Sequence, residues 1–217
     1  LRCLALTARA RGSIHRRGAD SEMERGVAIP SDPTKPVAQG VAVRAATEAD
    51  IPAIEALIAH FARQNRMLFR TAAELQTDLH EFVVARGPLD GDHSGGRPGL
   101  ATGNDADDAL LGVCGVHPVS SVLAEVRGLA IHPQVAARGL GRALVQACVD
   151  RARALGIAKV YTLTLVPRFF EKLGFIQVDR GTLSYKVWHE CYRCPKFANC
   201  DETAMVRPLD LDDSLRG

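Results

Sequence analysis

The 217-residue sequence has no run approaching the roughly 18 to 20 consecutive apolar residues that a membrane-crossing helix requires. Its longest candidates are broken by His117, Pro118 and charged residues, so a membrane partner is not expected. It also lacks a dominant charge. The 27 Lys and Arg against 25 Asp and Glu leave a formal +2, and the basic residues are spread along the chain rather than massed, so nucleic acid is not expected either. There is no internal repeat. The six cysteines are too unevenly placed for a secreted disulfide framework: Cys114 and Cys148 sit in apolar stretches, while Cys191, Cys194 and Cys200 crowd together. Acidic residues are missing from the opening, where Arg2, Arg9, Arg11, Arg16 and Arg17 precede the first acid, Asp20. That segment reads either as a transit peptide or, the preferred reading, as sequence upstream of a true start at Met23. A signal peptide does not fit, because the apolar stretch Cys3 to Ala8 is short and arginines follow it. A cytoplasmic location is expected from the lack of export signals.

What remains is ordinary globular composition, 47% apolar and 24% charged, with enough length for one full hydrophobic core. Residues 1–40 hold Pro30, Pro33 and Pro36 without hydrophobic periodicity and read as a disordered tail. The domain is expected at 41–185. It opens with a strand around Val41 and Val43, then Thr47 as an N-cap with Asp50 three residues on. Ile51, Ile54, Leu57, Ile58 and Phe61 recur at helical spacing and predict one buried face. Thr71 and Glu74 have capping-box spacing and introduce a short helix through Leu75 and Leu79. Phe82 to Ala85 reads as a strand, and residues 87–109 as a flexible Gly- and Asp-rich loop. Strands are expected at Leu110 to Val116 and Val122 to Ile131, with Pro118 to Ser121 turning between them. A helix follows from Arg138 to Leu155, stopped by Gly156. After it come a strand at Val160 to Leu165, a short helix that Pro167 opens and Gly174 ends, and a strand at Phe175 to Val178.

The segment running from Leu129 through Pro133 to Gly139, Gly141 and Leu144 passes from a strand into the first turn of a long helix. Backbone N–H groups there have no partner within the helix and carry partial positive charge, which suits a phosphate, and glycine permits close approach. Taken alone, two glycines at a helix start often do no more than pack it. In context, Leu129, Ile131, Pro133, Arg138, Gly139 and Gly141 resemble motif A of the GNAT acetyltransferases. Pro167-Arg-Phe-Phe-Glu-Lys-Leu-Gly-Phe175 resembles that family's second signature. The resemblance implies an α/β GNAT fold in a single domain: a central mixed, mostly antiparallel sheet flanked by helices, with acetyl-CoA as co-substrate. The coenzyme residues it implies are Leu129, Ala130, Ile131, Ala136, Ala137, Arg138, Gly139, Leu140, Gly141, Arg142 and Phe170. This chain departs from the family at Ala136, where Arg or Gln is usual, at Ala137, where Gly is common, and at Phe170, where a tyrosine often protonates the departing thiolate.

The stretch around Glu125 and Arg127, and the closing segment from Lys186 to Met205, are similar to the short amino-acid N-acetyltransferases associated with arginine biosynthesis. That likeness implies transfer of acetyl from acetyl-CoA to the α-amine of L-glutamate. The ammonium must lose a proton before attack, and Glu125 is the candidate base. A backbone N–H near Leu129 or Ala130 would face the developing oxyanion. The acceptor's carboxylates require cations, for which Arg127, Lys186 and Arg70 are the candidates, with Arg44 behind them. Residues 186–206 form a Cys-containing extension, followed by a tail at 207–217. Its Cys191, Cys194 and Cys200, with His189, are a candidate zinc set beside two other readings, buried thiols and a redox pair. The rival functions are acetylation of another amine, or non-catalytic binding of acetyl-CoA or metal. Oligomeric state is left open, a homodimer included.

Overall fold

The computed structural model describes residues 41–89, 108–135, 139–183, 191–193 and 197–209. β1 (Ala42–Ala45) leads through Thr47 into a 3-10 turn and α1 (Ile51–Ala62). The predicted cap is present: Asp50 Oδ2 accepts from the Thr47 N–H at 2.7 Å and from its hydroxyl at 2.9 Å. Ile54, Leu57, Ile58 and Phe61 turn inward as their spacing predicts, each worth about 1.5–3 kcal/mol relative to an exposed side chain. α2 (Ala72–Thr77) starts on the Thr71–Glu74 capping box and buries only Leu75.

β2 (Phe82–Gly87), β3 (Ala109–Ser120) and β4 (Leu123–Ile131) form an antiparallel meander. α3 (Leu140–Ala154), β5 (Lys159–Thr164), α4 (Pro167–Glu171), β6 (Ile176–Gln177) and β7 (Thr203–Pro208) complete the domain. The seven strands lie in the order β1-β2-β3-β4-β5-β7-β6. Among the described residues only β4 and β5 pair in parallel. The sheet is therefore mixed and mostly antiparallel, as expected.

The structure corrects three details. Pro118 does not begin a turn; it lies inside β3, paired with Ala124. β2 reaches β3 only as far as Gly115, so on that side Pro118 has no strand whose ladder would need its missing N–H. The expected last strand shrinks to Ile176–Gln177. In its place the segment read as extension and tail supplies β7, which runs along β5 from Thr164↔Thr203 to Lys159↔Pro208 and carries β6 on its other edge. Residues 90–107 of the expected loop, and 1–40, lie outside the described residues.

Candidate acetyl-transfer site

β4 positions the site through one irregularity. Its register with β3 shifts between Val113 and Gly115, where Ala130 and Arg127 are the successive partners, so β4 carries the extra residue of a bulge. Gly128 sits there at φ 62°, a left-handed conformation that glycine adopts without steric cost. The bulge resets the alternation of side chains. Ala124 and Val126 precede it in the core beneath α3, and Leu129 and Ile131 follow it in that same core. Ala130 joins the opposite core, under α1. Glu125 and Arg127, two and four residues along from Leu123, thus share the face that holds Leu123 and Tyr161.

β4 and β5 pair only at Leu123↔Lys159, Ala124↔Val160 and Glu125↔Tyr161. Beyond Glu125, β4 continues to Ile131 and β5 to Thr164 without pairing. A parallel pair that parts in mid-sheet leaves a cleft flanked by strand backbone. Glu125 lies at its base, with 0% of its surface exposed, in register with His117 of β3 and Tyr161 of β5.

At the open end of the cleft, α3 presents its N-terminus. Gly139 is the N-cap at φ 77°, and the first intrahelical bond runs from the Ala143 N–H to the Gly139 carbonyl at 3.1 Å. The N–H groups of Leu140, Gly141 and Arg142 therefore point out of the helix end. A Cβ on Gly141 would come within 3.3 Å of Phe169 Cζ, so the glycine lets α4 close against α3. These features fit a pyrophosphate-bearing ligand: a 15-residue helix start, a left-handed glycine cap and an adjacent strand edge. Phe170 is completely buried, edge-on to Phe169 and Phe175 at 5.0 and 5.1 Å between ring centroids. It packs the floor behind the cleft and carries no acid. Ala136, Ala137 and Arg138 lie outside the described residues.

The predicted cations Arg127 and Arg70 do come together, within a network that residue spacing did not reveal. Arg127 is 3% exposed; its NH2 donates to Glu81 and, at 3.1 Å, to Asp78 Oδ2. Arg70 NH1 donates to the same Asp78 oxygen at 2.9 Å. His117 Nδ1 lies 2.6 Å from Glu81 Oε1. Burial alone would raise the Glu81 carboxyl, but His117 and Arg127 outweigh it and hold the group below its ordinary value. Arg44 is committed elsewhere: with Arg86 it neutralises buried Asp50 at 2.7 to 3.0 Å. Burial opposes the Asp50 charge, and Arg44, Thr47 and Arg86 reverse that effect, leaving the carboxyl far below its usual range.

Asp78, Glu81, His117 and Tyr161 are the residues that sequence reasoning missed. Asp78 and Glu81 stand three apart just before β2, a spacing with many innocent explanations, and only the fold brings His117 to them. Lys186, His189 and Cys194 lie outside the described residues. Cys191 is buried beside Tyr161 and Leu163, and Cys200 Sγ lies 3.6 Å from Glu202 Oε2. Among the described residues no three metal-ligating side chains cluster, and no helix is long and apolar enough to cross a membrane.

A family model described as the acetyltransferase (GNAT) family matches residues 57–175. An uncharacterized N-acetyltransferase of Chlorobaculum tepidum is 30% identical over 167 residues, which is 77% of this chain and 96% of that protein. The amino-acid acetyltransferase of Mycobacterium tuberculosis is 28% identical over 151 residues, 70% of this chain and 77% of that protein. Among solved structures, the N-acetylglutamate synthase of Neisseria gonorrhoeae, complexed with coenzyme A and N-acetyl-glutamate, superposes with a TM-score of 0.62 at 24% identity. That likeness is one of fold. It covers 80% of this chain and 36% of the Neisseria one.

Proposed function

Because the chain belongs to the acetyltransferase (GNAT) family, whose members use acetyl-CoA, we propose that it acetylates the α-amine of an amino acid, L-glutamate first among them, to give the N-acetylglutamate used in arginine biosynthesis. One observation carries this reading: buried Glu125 and, two residues on, Arg127 share a face of β4 at the base of the cleft that α3 opens onto. A proton acceptor and a carboxylate-binding cation then sit one strand repeat apart on the same face, where a single amino acid can present its amine to one and a carboxylate to the other. The curated relative from Mycobacterium, an amino-acid acetyltransferase, supports the same acceptor class.

In this reading acetyl-CoA lies along the cleft with its pyrophosphate on the N–H groups of Leu140, Gly141 and Arg142 and its thioester near the bulge. Arg138, Ala136 and Ala137, which precede Gly139 in the sequence, are assigned to the coenzyme through the likeness to motif A alone. Arg127 and Arg70, with Lys186, receive the acceptor's carboxylates. Glu125 takes the ammonium proton, directly or through one water, and the freed amine attacks the thioester carbon. The carbonyl oxygen gains the negative charge, and a backbone N–H near Leu129 or Ala130 faces it. Collapse breaks the C–S bond and releases the thiolate of CoA. Phe170 has no proton to give, so the thiolate leaves as the anion or takes a proton from water.

The test is release of free CoA, followed with a thiol-reactive dye, from acetyl-CoA offered with each common amino acid in turn. The protein's own cysteines make a blank without acceptor essential. Turnover greatest with glutamate supports the proposal, turnover with a different amine replaces the acceptor, and acetyl-CoA binding without turnover on any of them rejects catalysis on amino acids.

A further inference from the structure

One oxygen, Asp78 Oδ2, stands between two guanidinium groups, 2.9 Å from Arg70 NH1 and 3.1 Å from Arg127 NH2. These are the two arginines assigned above to the acceptor, and an acceptor carboxylate between them would occupy the place Asp78 now holds. The second carboxylate of the network is differently situated. Glu81 is 6% exposed and fixed from both sides, by His117 at 2.6 Å and by Arg127. Asp78 is 30% exposed, at the C-cap of α2. α2 itself is loosely held, with Leu75 its one buried side chain. Two further ties are exposed hydrogen bonds: the Ala72 N–H to Glu55 Oε1 at 3.0 Å, and Gln76 Nε2 to Glu48 Oε1 at 2.9 Å. Exposed polar contacts of this kind contribute little. Of the two carboxylates, Asp78 is the one that can leave.

We propose that Asp78 is a specificity-determining residue: an internal carboxylate that keeps Arg70 and Arg127 converged and is exchanged for the acceptor's own carboxylate on binding. The proposal rests on the reading of those arginines as acceptor ligands. Exchange conserves charge, since one anion replaces another between the same two cations, so the arginines never face the buried site without a counter-ion. It also selects against acceptors without a carboxylate, which would have to leave Asp78 in place and find it in the way.

The experiment compares Asp78→Asn, Asp78→Glu and Arg70→Gln with the parent protein, measuring KM for L-glutamate, L-glutamine and acetyl-CoA by CoA release, with melting curves to establish folding. Asp78→Asn keeps the shape and weakens the hold on both arginines. It is expected to lower the amino-acid KM roughly three- to ten-fold, the weight of one or two ion pairs reached by solvent on the Asp78 side, and to leave the acetyl-CoA KM unchanged. Asp78→Glu restores the charge and is expected to return KM toward the parent value. An amino-acid KM that stays or rises in Asp78→Asn, or that falls equally in Asp78→Glu, overturns the proposal. Arg70→Gln separates the two levels. If it raises the amino-acid KM while Asp78→Asn changes nothing, only the exchange is wrong; if it too changes nothing, the arginines are not acceptor ligands.

Discussion

Gly128 offers a perturbation whose cost can be worked out before it is made. A Cβ there would have Phe82 Cε1 as its nearest neighbour at 3.7 Å, an ordinary contact, so space is not the constraint. The constraint is φ 62°, which costs an L-residue about 1–2 kcal/mol. Against that, alanine restricts the unfolded chain and returns about 0.5 kcal/mol. Gly128→Ala should therefore destabilise by about 1 kcal/mol, a fall in Tm of roughly 2–4 °C for a protein of this size. Asparagine tolerates the left-handed region and should lose less, whereas β-branched valine should lose more. Thermal melts followed by circular dichroism give the order, and CoA release at 25 °C shows whether the bulge still presents the β4 backbone to the thioester. Equal melting temperatures for glycine, alanine and valine would refute the reasoning, because they would mean that the bulge imposes no backbone constraint. A loss several times larger for alanine would point instead to a steric clash that the 3.7 Å contact excludes.

Glu125→Gln preserves shape and hydrogen-bonding capacity but cannot accept a proton. It should lower kcat by roughly 10²- to 10⁴-fold with little change in Tm, and a loss below about ten-fold would remove Glu125 from proton transfer. Asp50 has a depressed carboxyl in the folded state, so its contribution is full above the ordinary unfolded value, near pH 4, and drains away as pH falls below that. Asp50→Asn should cost about 3 kcal/mol at pH 7, and denaturant titrations should show the gap from the parent narrowing below about pH 4. A gap that stays constant down to pH 2 would show that the Arg44 and Arg86 pairs carry no stability.

What could be read from the sequence was local. The spacing of Ile51 to Phe61 fixed a helix face because one turn of helix decides it, and Thr71 with Glu74 marked a helix start because the cap is closed within four residues. Gly139, Gly156 and Gly174 fell at element ends, each with a positive φ that glycine accommodates. Glu125 and the α3 turn were legible through likeness to a known motif, and they lie at the two ends of the same cleft. What escaped was decided by distant partners. Thr203 to Pro208 is a strand only because β5 and β6 flank it. The bulge at Gly128 needs the register of β3 to be seen. Arg127 looked like a cation awaiting a ligand because Asp78 and Glu81, more than forty positions earlier, reach it only after β2 and β3 have folded back.

The place of β7 sets an order of assembly. It is the last strand along the described chain, yet it lies between two earlier ones. As the polypeptide leaves the ribosome, β3 and β4 can form their hairpin, and β1, β2 and α1 can join it before the rest of the sheet is made. β5 can add to β4 at the base of the cleft, but its outer edge stays open, and the two residues of β6 have no ladder to join. Both wait for residues 203–208. Glu125 and Arg127 thus belong to strands complete by residue 131, whereas the opposite wall of the cleft is complete only once residues 203–208 have paired with β5.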